Sequence, residues 1–264
     1  MVGGSAEFAA GSFEHVVNMR AKGQALTAIA LLARYPGIVL ALRPAFAAHY
    51  RGPADLRGHQ VGITAPGSST HMFLNNVLTR AGVDAREVPV LGVGTGASAV
   101  AAMRRGGLDA LVHLDPVIQQ LEASGDAQVV IDTRVAAGAQ AVYGGAYHAA
   151  CLYAKQDYLA AHPGTAQALV TAQVRALAWL AQASDADIVA LVPDNYLAGD
   201  RAGYGAALAR NRAMWSPDGR LDRDGAERVL ATLAAFEPTV RAAGIDVTTL
   251  IDNRYVEAAA GAAP

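Results

Sequence analysis

The hydrophobic pattern changes character near residue 57. From there on, short apolar runs alternate with turns of small residues and with runs in which apolar positions recur at helical spacing. This alternation is typical of strands and helices around a parallel sheet. It predicts strands at 59–65, 87–91, 109–114 and 128–132 and helices at 70–81, 97–105 and 117–124. We therefore predict an α/β lobe over residues 55–145.

Further strand-like and helix-like runs flank this block on either side. They predict strands at 6–10, 26–33, 37–43 and 149–154 and helices at 15–22, 164–183, 187–192, 202–214 and 224–236. In the longest of these helices, apolar residues recur at the spacing of a buried face. This spacing predicts that Trp179 lies in the core.

The order of these elements predicts two lobes, with the second inserted into the first. Residues 1–54 and 146–264 are expected to form the first lobe, and residues 55–145 the second. The strands at 37–43 and 149–154 would then cross between the lobes as a two-strand hinge. The predicted fold class is accordingly α/β.

Composition and charge exclude several classes of protein. Lys and Arg total 21 against 23 Asp and Glu, without a basic cluster, so a nucleic-acid partner is not expected. The single cysteine, Cys151, cannot form an internal disulfide. Apolar runs such as those at 28–33 and 38–42 are far shorter than the roughly 18 residues that span a membrane. The first residues also lack the basic and apolar regions of a signal peptide.

Four turns of small or polar residues follow predicted strands: Gly11–Glu14, Gly67–Thr70, Gly94–Gly96 and Asp115–Pro116. The carboxyl ends of parallel strands lie at one edge of a sheet, and ligands of such folds bind at that edge. We therefore expect the four turns to line one cleft.

Three aromatic residues accompany these turns, namely Phe13, Tyr35 and Tyr147. An aromatic ring beside a cleft can cover an organic ligand, but it can equally be a buried part of the hinge. The sequence leaves both interpretations open.

The turn at 67–71 has three interpretations. A nucleophilic serine is the weakest, because Ser69 and His71 point away from each other on a helix and the G-x-S-x-G turn of a hydrolase is missing. A plain helix cap is the second, with Ser68 accepting from the amide near His71. The third is an anion site, because free amides, hydroxyls and the positive end of a helix favour an acid group. Its residues would be Ser68, Ser69, Thr70 and His71.

A single helix end is too weak to retain a ligand. It contributes on the order of 1 kcal/mol, and about 2 kcal/mol when partly buried. Micromolar affinity corresponds to about 8 kcal/mol. Several loops that close on a solute and exclude water from it would supply the difference. We therefore favour a two-lobed binding protein without catalytic residues.

A glycine-rich turn offers an enzymatic alternative. Gly92, Gly94 and Ala97 fit the dinucleotide-binding pattern G-x-G-x-x-[GA], and Asp115 ends the following strand. However, the helix between them is short, Pro116 follows the acidic residue, and the motif is on the second strand of its lobe. An NAD(P)-dependent oxidoreductase is therefore the alternative, and the main hypothesis has no cofactor. The histidines lack the spacing of metal ligands, so no metal site is expected.

Several ordered segments resemble one family of proteins. They are GGSAEFAAGSFEH, AKGQ, RYPGIVLALR, DLRGHQVGITAPGSSTHMF, GVGTGASAVAAMRRGGLDALVHLDP and YGGAYHAACLYAKQDYL. Over about residues 1–255, the chain resembles the substrate-binding proteins of ABC importers of the nitrate, sulfonate and taurine type, which are SsuA/THI5-like or NMT1-like. This group also includes binders of thiamine-pyrimidine precursors.

The resemblance implies a type II periplasmic binding protein fold that captures a small organic anion for an ABC permease in the inner membrane. A sulfonate, nitrate, taurine or a related carboxylate would be the solute, and the location would be periplasmic. The ligand loops of the family correspond to Gly11–Phe13, Ser68–His71, Gly94–Gly96 and Asp115. Enzymatic relatives that make the thiamine pyrimidine carry a cysteine-rich motif, which a chain with one cysteine lacks.

The chain departs from the family pattern at its start. Family members begin with an export signal, and a strand, a helix and a second strand then precede the segment that matches Gly3–Glu7. The given sequence starts at that segment. The first lobe is therefore expected to be N-terminally incomplete, and no signal peptide is expected in the given chain.

Overall fold

The computed structural model describes residues 3–197 and 199–261. Within them the strands are β1 (Phe8–Ser12), β2 (Leu26–Leu31), β3 (Val39–Leu42), β4 (Val61–Ile63), β5 (Val90–Gly92), β6 (Ala110–His113), β7 (Gln128–Asp132) and β8 (Ala150–Lys155). The helices are α1 (Phe13–Ala21), α2 (Pro44–Ala47), α3 (Ser69–Arg80), α4 (Ala97–Arg104), α5 (Val117–Ala123), α6 (Ala136–Tyr143), α7 (Gln156–Ala161), α8 (Pro163–Gln182), α9 (Asp185–Leu191), α10 (Asp194–Leu197), α11 (Arg201–Asn211), α12 (Arg223–Phe236), α13 (Pro238–Ala242) and α14 (Arg254–Gly261).

Every strand and helix predicted from the sequence overlaps one of these elements. The prediction missed α2, α6, α7, α10, α13 and α14. These helices have eight residues or fewer, so each offers little more than two turns in which a periodic apolar pattern can appear. No helix of the described residues is both long enough and apolar enough to cross a lipid bilayer.

The chain divides into two compact units. Unit 1 extends to Pro36 and includes Ala139–Ser184 and the residues from Met214 onward. Unit 2 consists of Gly37–Gly138 and Asp185–Ala213. These bounds differ from the predicted lobes, chiefly because the strand at 37–43 and the helices of 185–213 belong to unit 2.

Unit 1 is built on a three-stranded sheet in the order β1-β8-β2. The central strand β8 is antiparallel to both neighbours. It is the strand predicted at 149–154 as one of the two crossings, and it has hydrogen-bonded partners on both edges within unit 1. Apolar side chains of β2, α8 and α14 pack together over this sheet, among them Ile29, Val170 and Val256.

The side of helix α8 that lies in the core is not the side predicted to include Trp179. Ala166, Val170 and Leu177 are buried, whereas Trp179 is 43% exposed. Positions 177 and 179 are two residues apart, so their side chains point to opposite sides of a helix with 3.6 residues per turn. The prediction that Trp179 is a core residue was therefore wrong.

Unit 2 is built on a five-stranded sheet in the order β5-β4-β6-β3-β7. Strand β4 is parallel to β5 and β6, whereas β3 is antiparallel to β6 and β7. The sheet is thus mixed and not parallel as predicted. The cause is β3, the other predicted crossing strand, whose wholly apolar sequence suits a buried position between two partners. The parallel strands β5, β4 and β6 end at one edge of this sheet, as predicted.

Candidate functional site

Three hydroxyl groups hold the turn that follows β4. Thr64 Oγ1 lies 2.9 Å from Ser68 Oγ and 2.8 Å from Thr70 Oγ1, and the last two oxygens are 2.8 Å apart. Thr70 Oγ1 also accepts from the Thr64 amide at 3.0 Å. The side chain of Thr70 is buried and is used inside the turn. Of this residue, only the backbone is left for a ligand.

Ser68 is the N-cap of α3, because its Oγ accepts from the His71 amide at 3.4 Å. This confirms the cap interpretation of Ser68. The ring of His71 is engaged too, since its Nδ1 accepts from the Gly67 amide at 3.0 Å. A ring nitrogen that accepts an N–H carries no proton, so a neutral His71 carries its proton on Nε2. His71 therefore packs against its own turn and does not act as a base for Ser69.

Two backbone amides at the start of α3 have no acceptor among the described residues. The first amides of a helix lack intrahelical acceptors. Here the Ser68 amide bonds to the Ala65 carbonyl and the His71 amide bonds to Ser68 Oγ, which leaves the amides of Ser69 and Thr70. The hydroxyl of Ser69 also has no partner within the described part of the chain. Three donors thus lie at the positive end of a 12-residue helix.

The glycine-rich turn after β5 is tied to the turn after β4. The Val93 amide donates to Ile63 O at 2.8 Å, and the Gly94 amide donates to Thr64 O at 3.0 Å. Gly94 has φ +76°, a left-handed conformation that favours glycine. These bonds are therefore consistent with the prediction that Ser68–His71 and Gly94–Gly96 lie close together. Thr95 and Gly96 are exposed, and their amides have no acceptor in the described ranges.

Asp115 follows β6 at the same edge, but protein donors occupy its carboxylate. Oδ1 accepts from the Gln119 amide at 2.9 Å, and Oδ2 accepts from Asn211 Nδ2 at 2.8 Å. Both oxygens also accept from Arg134 Nη1 at 3.3 and 3.4 Å. The side chain is 6% exposed. A carboxylate with four bonds has no free lone pair for the ribose hydroxyl of a dinucleotide, so this geometry does not favour the oxidoreductase alternative.

Arg134 is the centre of a buried charge cluster in unit 2. Its side chain is 1% exposed, with Nη2 at 2.7 Å from Asp132 and Nη1 at 2.9 Å from Glu122. Burial lowers the pKa of Arg134, but hydrogen bonds with Asp132 and Glu122 outweigh it and hold the pKa above the usual range. We call this set the Arg134 cluster; its members are Arg134, Asp115, Glu122, Asp132, Arg210 and Asn211.

The first predicted ligand loop, in unit 1, is a direct passage from strand to helix. Strand β1 ends at Ser12 and α1 begins at Phe13, so no separate turn exists at 11–14. Ser12 Oγ accepts from the Glu14 amide at 3.3 Å and donates to Glu14 Oε2 at 2.7 Å. Phe13 is fully buried and meets the ring of His148 edge-on at 5.5 Å. Gly11 is close-packed, since a Cβ there would lie 2.9 Å from Tyr153 Oη.

Tyr147 belongs to a buried polar group that the sequence did not indicate. Its hydroxyl donates to Glu14 Oε1 at 2.8 Å, and its ring stacks on Tyr143 with 3.9 Å between centroids. Burial raises the pKa of Glu14, although hydrogen bonds from Ser12 and Tyr147 oppose this effect. Tyr147 and Phe13 are thus buried aromatics, whereas Tyr35 is half-buried, with the Arg34 guanidinium 5.4 Å from its ring centroid.

The described residues contain no group of three or more His, Cys, Asp or Glu side chains placed to hold a metal ion. Cys151 is fully buried, and burial raises the pKa of its thiol well above the usual range. A thiol in such surroundings is unreactive, because only the thiolate is a strong nucleophile.

Comparison with solved structures gives a close match. A protein of Bordetella bronchiseptica RB50 is 44% identical to this chain with a TM-score of 0.94, and the match covers 98% of this chain and 82% of that protein. Comparison with curated proteins gave no match.

Two more distant structures share the fold but differ in function. The alkanesulfonate-binding protein SsuA from Xanthomonas axonopodis pv. citri, bound to MOPS, is 20% identical with a TM-score of 0.70, over 95% of this chain and 81% of that one. The desulfurization enzyme DSZB is 17% identical with a TM-score of 0.62, over 96% and 85%. At these identities the likeness concerns the fold alone.

The family model described as NMT1/THI5 like matches residues 1–186, which is more than half of the chain. The predicted α/β fold class of two-lobed binding proteins is confirmed by the match to structures of this type. The chain therefore belongs to the NMT1/THI5-like family, as its sequence motifs predicted.

Proposed function

We propose that this chain is the solute-binding component of an ABC importer and that it binds a small organic anion, with a sulfonate as the first candidate. The observation that carries the proposal is a set of three donors at the start of α3 that have no acceptor among the described residues: the Ser69 amide, the Thr70 amide and the Ser69 hydroxyl. A sulfonate presents three oxygens that accept such bonds, and a helix N-terminus favours its negative charge.

The turn after β5 adds further donors to this set. The amides of Thr95 and Gly96 directly precede α4, and the bond from the Gly94 amide to Thr64 O at 3.0 Å joins their turn to that of α3. Backbone donors suit an anion that must be released again, since their strength is shared over several moderate bonds. A protein with the same fold was solved with MOPS, which is itself a sulfonate, and we therefore take a sulfonate as the first solute to test.

Two further predicted residues are retained as candidates in unit 1. Ser12 and Tyr35 are partly exposed, so solvent and solutes have access to them. Gly11 can contribute only its backbone, and Phe13 and Tyr147 are buried within unit 1. Asp115 is held by the Arg134 cluster of unit 2. The partner that we propose, an ABC permease of the inner membrane, and the periplasmic location rest on the resemblance of the motifs to importer components.

Sulfonate binding is tested by thermal unfolding in the presence of ethanesulfonate. A ligand that binds only the native protein stabilises it by about 2.7 kcal/mol at a hundredfold excess over Kd, so the unfolding midpoint should rise. Nitrate, taurine, an aromatic carboxylate, an aminopyrimidine and NAD(P) form the comparison panel. Stabilisation by NAD(P) alone would contradict the proposal, and stabilisation by the aminopyrimidine alone would favour a thiamine-pyrimidine precursor as solute.

The same fold in a desulfurization enzyme makes turnover the competing function. Binding without chemistry is favoured here, because the one cysteine of the chain is buried and His71 is held by its own turn. We expect the sulfonate to be recovered unchanged after prolonged incubation. Release of sulfite or sulfate in proportion to protein concentration would contradict the binding role.

Substitution of Ser69 tests the amides directly. Ser69→Pro removes the amide and the hydroxyl, and proline is tolerated at the first position of a helix when the preceding residue is extended, as Ser68 is. Ser69→Ala removes only the hydroxyl. Each bond to a charged acceptor contributes about tenfold or more in affinity. We expect calorimetry to give a loss of about tenfold for the alanine variant and about a hundredfold for the proline variant.

Ligand-free unfolding midpoints close to that of the unmodified protein would establish that both Ser69 variants keep α3. If the proline variant then binds ethanesulfonate as tightly as the unmodified protein, the start of α3 is not the anion site.

A further inference from the structure

His113 was not among the residues predicted from the sequence. It ends β6 at the edge of the sheet where α3 and α4 begin, and it is 2% exposed. Both of its ring nitrogens face backbone carbonyl oxygens. Nε2 lies 2.9 Å from Gly94 O, and Nδ1 lies 3.1 Å from Leu114 O. The proposed solute-binding function does not use this ring directly, so its bond to the glycine-rich turn requires another explanation.

The carbonyl of Gly94 and the amide of Thr95 belong to one peptide unit. A trans peptide is planar, and its C=O and N–H point in opposite directions. A bond from His113 to the Gly94 carbonyl therefore fixes the Thr95 N–H on the side away from the ring. It also polarises the peptide and makes that N–H a stronger donor.

Backbone hydrogen bonds hold the glycine-rich turn up to the peptide that joins Gly94 and Thr95. The amides of Val93 and Gly94 bond to Ile63 O and Thr64 O, but the amides of Thr95 and Gly96 have no acceptor in the described part of the chain. No other side chain there bonds to the Gly94 carbonyl. Glycine has no Cβ to oppose rotation of the next peptide. Without His113 this peptide could turn and present its carbonyl oxygen, which repels an anion.

We propose that His113 is a positioning residue of the anion site, which holds the Gly94 carbonyl and thereby aims the Thr95 amide at the acid group of the solute. This inference rests on the proposed function for its ligand. A bond from His113 to Gly94 O also requires one particular tautomer of the His113 ring. A carbonyl oxygen only accepts, and a neutral imidazole has one N–H, so the proton that holds Gly94 is on Nε2.

Two substitutions of His113 distinguish its hydrogen bond to Gly94 from the space that its ring fills. His113→Phe keeps a ring but removes both nitrogens, whereas His113→Gln keeps one N–H donor for the Gly94 carbonyl. We expect the phenylalanine variant to bind ethanesulfonate about tenfold more weakly, and the glutamine variant to recover most of that loss. Calorimetric Kd values would test this, and equal affinities of the phenylalanine variant and the unmodified protein would overturn the inference.

A matched control is available in the same unit. Thr133 is fully buried, and its Oγ1 donates to Ile38 O at 2.7 Å. Thr133→Val removes this bond and destabilises unit 2 without touching the turns of α3 and α4. It should lower the unfolding midpoint and leave the affinity unchanged. An equal loss of affinity in this control would attribute the effect of His113 to stability and overturn the positioning role.

Nuclear magnetic resonance of the ligand-free protein provides a readout that does not depend on the solute. The ring ¹⁵N shifts of His113 should identify Nε2 as the protonated nitrogen, and His113→Phe should shift the Thr95 amide resonance. Protonation on Nδ1, or an unchanged Thr95 amide, would overturn the inference. If the unmodified protein binds no sulfonate, the proposed function fails, and these ligand-free measurements still decide the role of His113.

Discussion

Replacement of Arg134 by methionine is expected to lower the free energy of unfolding by about 3–5 kcal/mol. The guanidinium is 1% exposed and bonds to three carboxylates, those of Asp115, Glu122 and Asp132. Its removal leaves Asp115, only 6% exposed, as a buried charge without a cationic partner. Breaking one half of a buried ion pair costs far more than the pair itself contributes, because the remaining charge is not solvated. Urea unfolding with an unchanged m-value would measure the loss.

Two companion variants distinguish this mechanism from simple loss of volume. Arg134→Lys keeps the charge but lacks the planar fork that bridges several carboxylates, so an intermediate loss is expected. Adding Asp115→Asn to Arg134→Met removes the unsolvated charge, and the double variant should be more stable than Arg134→Met alone. If the double variant is the less stable of the two, uncompensated charge is not the cause.

The pH dependence of stability gives an independent check on the Arg134 cluster. Burial raises the pKa of Asp132, but hydrogen bonds from Arg134 outweigh it and leave the pKa below its usual value. A carboxyl with a depressed folded pKa stabilises the protein above its unfolded pKa of about 4, and this contribution is lost as the pH falls through the folded pKa. The decrease in the free energy of unfolding below that pH should therefore be smaller for Arg134→Met than for the unmodified protein.

The sequence predicted the positions of the strands and helices better than it predicted the contacts of the residues at their ends. Ser68, Gly94 and Asp115 are in turns that follow parallel strands of unit 2. These turns could be predicted because alternating apolar runs and small-residue turns reflect that topology directly. The use of each side chain depends on partners distant in sequence. Asp115 is held by Arg134 and Asn211, which lie 19 and 96 residues further along the chain. No local pattern identifies such pairs.

Burial explains two other differences between the predicted and the observed site. For Phe13 and Tyr147 the sequence left open whether the rings cover a ligand or are buried, and both are buried in unit 1 against His148 and Tyr143. His113 had a detectable signal, since it is a polar residue at the end of an apolar strand, where a satisfied backbone contact or a functional role is required. Metal-ligand spacing does not identify His113, because the partners of its ring are carbonyl oxygens.

The assignment of helices to units could not be read from periodicity. An amphipathic helix has the same pattern whichever surface covers its apolar side. The segment 185–213 was placed in the first lobe because it follows α8 in the chain. In the structure, α11 of this segment carries Arg210 and Asn211, which bond to Glu122 and Asp115 of unit 2. Long-range polar contacts, and not the apolar pattern, distinguish the two possibilities.

Substitution of Gly138 by alanine is expected to destabilise unit 2 by about 3 kcal/mol, although alanine is the better helix former. Gly138 is in α6, and a Cβ there would overlap the carbonyl oxygen of Asp132 and lie 2.7 Å from its carbonyl carbon. These are backbone atoms, so the clash cannot be relieved by rotating a side chain. Either α6 or the end of β7 must move. The loss is measured by urea unfolding.

Gly205 provides the matched control, because it is also inside a helix of unit 2. In α11 a Cβ at this position would have Val189 Cγ2 as its neighbour at 3.8 Å, an ordinary contact. Gly205→Ala should therefore stabilise the protein by up to about 1 kcal/mol through helix propensity. The two substitutions are chemically identical but should change stability in opposite directions. Equal effects of the two would mean that α6 accommodates a side chain, and that its close approach to β7 does not constrain the residue at 138.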